Sequence, residues 1–272
     1  MRRVSRSFRL PASRLQTLPM LAGALVLAAA LAGCASKPPA DDPDAVADYN
    51  EANDPAEPTN RVFYAINNGL DTVILRPLAV GYKYVVPFVV RSHIHNVLTN
   101  LSMPVSLFND MLQAHPRRAG NSFMRILVNS TVGVAGVFDV ATEWGWPAHD
   151  SDGGMTLALW GLPSGPFLFL PVLGPTSPRD AVGFGADIAQ DPITWVGSGV
   201  LVSSLGYTRW GLNAIDTRTN VLDDLDKIKA QALDPYATIR SLYRQHRQSQ
   251  IDEARSDDPA TVPAWFVQPR RP

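Results

Sequence analysis

The chain has 272 residues, of which 46% are hydrophobic and only 18% charged, and its formal net charge is −1. This composition suits a folded chain of one or two domains and excludes a strongly acidic or basic protein. The single cysteine, Cys34, excludes an intrachain disulfide, a Cys-based metal cage and a Cys/His nucleophile site.

The near-neutral total hides an asymmetry along the chain. The first acidic residue is Asp41, and before it lie Arg2, Arg3, Arg6, Arg9 and Arg14. Without those five, 19 basic residues face 25 acidic ones, about −6. Such a surface does not favour a phosphate backbone, so nucleic acid is not an expected partner. Residues 1–20 are basic and 20–32 read MLAGALVLAAALA, an apolar run of signal-peptide length. Leu31-Ala32-Gly33-Cys34 follows and resembles the lipobox of bacterial lipoproteins. That resemblance implies a cleaved signal peptide over 1–33 and a Cys34 acylated on sulfur and amine. Burying acyl chain is worth about 0.8 kcal/mol per CH₂, and two or more chains anchor stably. A plain transmembrane anchor is the alternative, for which the apolar core is short. Arg2-Arg3 hints at a twin-arginine signal, but its surroundings fit poorly. Ala35 and Ser36, rather than Asp, follow the cysteine. This resembles lipoproteins sorted to the periplasmic face of a Gram-negative outer membrane.

Residues 34–53 form a linker rich in Pro, Ala and Asp, with a flexible reach of about 25 Å. The body then reads as helices. Asp54-Pro55 with Glu57 predicts a helix start with Asp54 as N-cap, a stripe Val62, Ala65 and Ile66, and a stop at Gly69. A helix over 71–84 is interrupted by Pro77. Residues 88–101 carry Val89, Val90, Ile94, Val97, Leu98 and Leu101 on one face; 104–114 and 117–132 are further helices, the latter with Phe123, Ile126 and Leu127. Ser177-Pro178 starts a helix over 178–190. Residues 217–232 are amphipathic, and Asp234-Pro235 caps the last helix, with Tyr236, Ile239, Leu242, Tyr243 and His246. Residues 251–272 read as a disordered tail, irregular from about Ser256.

One stretch resists this reading. Between Asp152 and Arg179 no residue is charged, yet the run holds Pro163, Pro166, Pro171, Pro175 and Pro178. Interior prolines forbid a spanning helix, and bare backbone is not tolerated in hydrocarbon. Residues 161–175 are therefore expected to be extended and turn-rich, tucked against helices, with 167–170 packed inward or at a membrane boundary and forming the one weak strand candidate. The runs 126–138 and 192–208 are also uncharged, but too short or too glycine-rich for a confident span. Broken and amphipathic apolar helices suit a body seated in one leaflet; a soluble helical domain hanging from its lipid is the alternative.

Catalytic signatures are sparse. His93 and His95 lie two apart in a helix and face different ways. HDSDGG at 149–154 is like the head of a calcium loop, but the twelfth position from Asp150 is Gly161 where an EF-hand needs Glu. Gly183-Phe184-Gly185 and Gly197-Ser198-Gly199 lack the third glycine of a phosphate loop, and no G-x-S-x-G elbow occurs. No cofactor or metal is expected.

The residues themselves form an ordered series. Asn53-Asp54-Pro55-x-Glu57-x-x-Asn60-Arg61 opens it, followed by Arg76-Pro77, Tyr84-Val85-x-Pro87 and Asn96-x-x-x-Asn100-Leu101. Then come Asn129-Ser130-Thr131-x-Gly133, Phe138-Asp139-Val140-Ala141, Thr156-Leu157-x-x-Trp160-Gly161, Gly165-Pro166, Leu170-Pro171, Gly174-Pro175 and Arg179-Asp180. Asp234-Pro235-Tyr236, Arg240 and Tyr243 close it. Over roughly 53–250 this resembles the MlaA/VacJ family of outer-membrane lipoproteins. The resemblance implies an all-α, ring-like body over 54–250, seated in the inner leaflet of the outer membrane around an amphipathic channel. It implies withdrawal of misplaced phospholipids and transfer to an MlaC-type periplasmic carrier, with a trimeric porin as a further partner and no catalysis. An anchored phospholipase and a structural or assembly lipoprotein are the alternatives. Candidate lipid-path residues are Arg61, Arg76 and Arg179, which would meet head-group phosphates or, alternatively, carboxylates, together with Phe167 and Phe169.

Overall fold

The computed structural model describes residues 46, 49, 52–195 and 200–255. Eleven α-helices are found among the described residues, with one two-stranded sheet. They are α1 (Glu57–Leu70), a π-helical turn (Asp71–Leu75), α2 (Arg76–Val85), α3 (Phe88–Leu112), α4 (Pro116–Thr131), α5 (Val140–Glu143) and α6 (Gly153–Leu159). The hairpin β1 (Leu168–Leu170) and β2 (Gly174–Thr176) follows. Then come α7 (Pro178–Gln190), α8 (Pro192–Trp195), α9 (Val200–Asn220), α10 (Leu222–Gln231) and α11 (Pro235–Ala254). Cys34, the signal segment and residues 256–272 lie outside the described residues. The last helix passes residue 250 and buries Ile251 and Ala254, so the body ends four residues beyond the expected boundary.

The expected helix ends hold where the cap chemistry is local. Ser177 accepts from the amide of Asp180 and Asp234 from that of Ala237, each placing a proline in the first helical turn. The expected break at Gly69 does not occur: α1, the π turn and α2 are continuous. Pro77 explains the π turn. In an α-helix its ring would strike the carbonyl of Val73. Widening the preceding turn lets Arg76 N–H donate to Asp71 O instead, five residues back. Likewise 88–101 and 104–114 are one helix, α3, with Pro104 inside. Arg209 Nη2 donates to Leu101 O (3.2 Å) beside that proline. Residues 217–232 are two helices, α9 and α10, meeting at Val221. The short α5 and α6 were not foreseen. α6 packs on α7 at van der Waals closeness, because a Cβ on Gly183 would lie 2.1 Å from Gly154 N and 2.5 Å from Gly153 C. The doublet Gly153-Gly154 and Gly183 thus serve helix contact rather than phosphate.

Contacts between elements run as a closed circuit: α1 continues into the π turn and α2, which touch α9, α9 touches α3, α3 touches α6, α6 touches α11, and α11 returns through the hairpin to α1. What this circuit buries is unusual. On α4 the buried face is Arg118, Asn121, Ser122, Arg125 and Asn129 with the single apolar Val128, and Phe123 and Leu127 point outward. On α1 the buried residue is Asn60, whereas the stripe residues Val62 and Ile66 are exposed. Val73, Leu78, Val85, Val89 and Val90 are exposed as well. The helical periodicity of these stripes is therefore as expected, but their apolar sides face out. No helix among the described residues is long and apolar enough to cross a membrane.

Candidate functional site

The uncharged, proline-rich run becomes a hairpin laid against α1. Asn60 Oδ1 accepts from Phe169 N (2.9 Å) and its Nδ2 donates to Phe167 O (3.1 Å). One heptad on, Asn67 Oδ1 accepts from Val172 N (2.7 Å) and its Nδ2 donates to Leu170 O (2.8 Å). One heptad earlier, Asn53 O accepts from Phe167 N (2.8 Å) and Asn53 Nδ2 donates to Gly165 O (2.9 Å). Three asparagines thus do for β1 what a neighbouring strand would do, on the edge away from β2. Sequence reasoning missed this role; the spacing 53, 60, 67 was the available signal.

The hairpin's aromatic side faces inward. Phe167 and Phe169 are buried with Tyr236, and Phe63, Tyr64, Ile239 and Tyr243 pack on them. The rings meet edge to face, Tyr64 with Phe169 at 5.6 Å and Phe167 with Tyr243 at 6.0 Å between centroids. Of the two expected positions for 167–170, the structure adopts the inward one.

Two carboxylates at the ends of this aromatic cluster organise the arginines. Asp54, expected as the N-cap of α1, caps nothing: α1 starts at Glu57 and Ala56 holds the cap position. Instead Asp54 is buried and accepts from Asn60 Nδ2 (2.7 Å), Arg240 Nη1 (2.8 Å) and the Tyr236 hydroxyl. Burial and this carboxylate push the Tyr236 phenol far above its ordinary pKa, so it remains a donor. The second centre is Asp180, which accepts from Tyr243 OH (2.5 Å), Arg247 Nη2 (3.1 Å) and Arg179 Nε and Nη2 (both 3.1 Å). Arg247 also grips Asp152 through both Nη atoms at 2.6 Å.

The five candidate lipid-path residues among the described residues fall in two places. Phe167 and Arg179 line one cleft of about 730 Å³ between α11, the start of α7 and the loop before β1. Phe169 lies behind it in the same aromatic cluster, and Arg61 flanks that cluster, 4.5 Å over the Tyr236 ring and bound to Asp234 (2.6 Å) and Glu57 (2.7 Å). Arg76 is elsewhere: it binds Asp226 (2.8 Å), next to the pairs of Asp71 with Arg218 (2.6 Å) and Lys229 (2.7 Å). All three arginines therefore have carboxylate partners, the alternative reading for them.

Ser122, His149 and Asp110 are also brought together, but not as a relay. His149 Nε2 lies 2.9 Å from Asp110 Oδ2 and 3.3 Å from Ser122 Oγ, while Ser122 donates to the same Asp110 oxygen at 2.6 Å. One ring nitrogen faces both partners, whereas a nucleophilic triad uses the two nitrogens in turn. His149 Nδ1 faces Asn121 Nδ2 (3.0 Å), and all of these groups are buried. Among the described residues no three His, Cys, Asp or Glu side chains group as metal ligands.

The carboxylate network makes stability pH-dependent. Burial alone raises Asp71, Asp139 and Asp180, but their cationic and hydrogen-bonding partners outweigh it and hold all three below the ordinary range. A carboxyl depressed in the folded state contributes stability that is complete above its unfolded pKa and lost as pH falls through the folded value. The melting temperature in detergent is therefore expected to hold from neutrality to about pH 5 and to fall steeply below about pH 4. Asp180→Asn should lower the neutral plateau and flatten that acid limb. Asp187 works the other way, since burial pushes its carboxyl up, and it softens the decline. Equal melting temperatures at pH 3 and pH 7 would refute the linkage.

The MlaA lipoprotein family description matches residues 52–250. An uncharacterized protein of Rickettsia bellii is 35% identical over 74% of this chain and 78% of its own length. The intermembrane phospholipid transport system lipoprotein MlaA of Haemophilus influenzae is 31% identical over 85% of this chain and 90% of its own. That of Escherichia coli is 33% identical over 79% and 82%. A solved structure described as the structural basis for maintenance of bacterial outer membrane lipid asymmetry superimposes with a TM-score of 0.64 at 31% identity, covering 73% of this chain and 98% of that one. With the helical fold, the asparagine-clamped hairpin and the matched span of 52–250 in hand, the chain belongs to the MlaA lipoprotein family.

Proposed function

We propose that this lipoprotein removes phospholipids misplaced in the outer leaflet of the outer membrane and passes them to an MlaC-type periplasmic carrier. In this reading Cys34 carries the acyl anchor on the periplasmic side, the helical body sits as a ring in the inner leaflet, and a trimeric porin is its membrane partner. The observation that carries the proposal is the reversed polarity of the body. Arg118, Arg125, Asn109, Asn121, Asp110 and Ser122 are fully buried, while Val62, Val73, Leu78, Val85 and Val89 are exposed. In water, apolar stripes of this extent would be buried or covered. Against acyl chains they cost nothing, and a helical body whose described residues include no spanning helix can sit at partial depth. On this reading a head group crosses beside polar side chains rather than through acyl chains, since a bare charge in hydrocarbon is very costly. Transport by such a path is passive, and the downstream carrier supplies the sink.

The test is complementation of a strain lacking the protein. The full chain is expected to restore low outer-leaflet phospholipid and detergent resistance, and Cys34→Ala to restore neither. Unchanged outer-leaflet phospholipid in the deletion strain would remove the basis for a transport role. Release of free fatty acid from labelled phospholipid by the purified lipoprotein would replace transport with hydrolysis.

A further inference from the structure

We infer that the cleft between α11, the start of α7 and the loop before β1 is a head-group seat that binds the phosphodiester of a phospholipid, with Arg244 as its outer contact. The inference rests on the transport reading above and gives that reading a place on the molecule. Among the described residues that line the cleft are four arginines, Arg179, Arg240, Arg244 and Arg247, and a single carboxylate, Asp180. Arg240, Arg244 and Arg247 recur at spacings of four and three on α11, so one helical face presents them together.

Two of them are held by carboxylates. Arg240 is fixed by Asp54 (2.8 Å) and Glu57 (3.3 Å), and Arg247 by Asp152 (2.6 Å) and Asp180 (3.1 Å). Side chains so held are positioned before any ligand arrives. Arg244 lies one turn beyond Arg240, and its side chain is exposed. Guanidinium groups match phosphate oxygens through paired N–H donors better than any other side chain.

Size and lining narrow the ligand. A cleft of about 730 Å³ is far larger than one inorganic phosphate and lies within the usual range for small-molecule sites. Hydroxyl and amide groups dominate the remaining wall, and Phe167 and Ile251 are its principal apolar contributions. Such a wall suits a glycerophosphate and its polar substituent and does not suit acyl chains, which would stay at the apolar outer surface.

The experiment titrates the full lipoprotein in detergent with dihexanoylphosphatidylglycerol, and separately with inorganic phosphate, by calorimetry. The short-chain lipid should bind, Arg244→Glu should weaken it about tenfold, and Arg244→Lys should fall between, because a lysine keeps the charge without the paired donors. Arg255→Glu, at the C-cap of α11 beyond the cleft and paired with Asp252 (2.7 Å), should bind as the parent does. Parent-like lipid binding by Arg244→Glu overturns the inference. So does inorganic phosphate that binds as tightly as the lipid, which would make the cleft a plain anion site. Extraction of phospholipid from liposomes is measured on the same samples. Extraction by the parent and by Arg244→Glu alike, with equal binding, sinks the head-group seat and leaves transport standing; no extraction by the parent sinks transport itself.

Discussion

Replacing Asp54 with alanine is expected to destabilise the folded body by about 3–5 kcal/mol, the usual cost of removing one partner from a buried ion pair. Asp54 is 2% exposed, and three donors converge on it from elements far apart in sequence. Its loss leaves the Arg240 guanidinium, the Tyr236 hydroxyl and Asn60 Nδ2 with fewer acceptors in a closed space. Asn60 is also the clamp on β1, so the effect should spread to the hairpin. For a body of about 200 residues the melting temperature should drop by roughly 10 °C. Asp54→Asn keeps the shape and one acceptor oxygen and should lose less, about 1–3 kcal/mol. Thermal unfolding in detergent, followed by circular dichroism, checks both. If the alanine variant melted with the parent, the convergence on Asp54 would be of no energetic consequence. If instead Asp54 were a simple helix cap, the alanine variant would cost only about 1 kcal/mol and the asparagine variant almost nothing, since asparagine caps as well as aspartate.

The contrast between Asp54 and Asp234 shows where sequence reading reaches its limit. Both precede a proline at a helix start. Asp234 caps its helix because the partner amide of Ala237 is three residues away, and even its tie to Arg61 leaves that bond intact. Asp54 is captured by Tyr236 and Arg240, more than 180 residues along the chain, and no local pattern announces that. The same division runs through the fold. The helices at Pro178 and Pro235 and the apolar periodicity of α1, α3 and α4 were legible because they depend on neighbours within one or two turns. The continuity of α3 through Pro104 was not, because contacts with α4, α6 and α9 hold it. Nor was the direction of the apolar stripes. Periodicity gives the existence of two faces, and the surrounding medium decides which of them is buried. For α4 five of the six buried residues are polar, Arg118, Asn121, Ser122, Arg125 and Asn129 beside Val128, in a helix whose sequence would read equally well with Phe123 and Leu127 inside. At the cleft, Arg179 and Arg240 were legible from the motif series and Phe167 from the uncharged run, whereas Arg244 and Arg247 were not, since α11 meets the loop before β1 only in three dimensions.

Phe169→Asp is expected to free the hairpin from α1 and to abolish lipid clearance. Phe169 is 5% exposed, and its ring touches those of Tyr64, Phe167 and Tyr236. Truncating a buried phenylalanine costs about 3–5 kcal/mol, and an unpaired carboxylate in the same place adds the cost of a buried charge. The lack of charge between Asp152 and Arg179 has its physical reason here: the segment is covered on one side by aromatic rings and held on the other only by neutral amides of Asn53, Asn60 and Asn67. A carboxylate at 169 has no cation among those neighbours and must move to water, drawing β1 with it. Amide hydrogen exchange gives the direct reading. The N–H groups of Phe169 and Val172 are bonded to the oxygens of Asn60 and Asn67 and should lose protection, whereas α4, packed elsewhere on α3, should keep it. Phe169→Leu retains an apolar side chain and should preserve both protection and clearance. If Phe169→Asp kept its exchange protection and cleared lipid as well as the parent, the aromatic cluster would not be what holds the hairpin on α1, and the uncharged run would need another explanation.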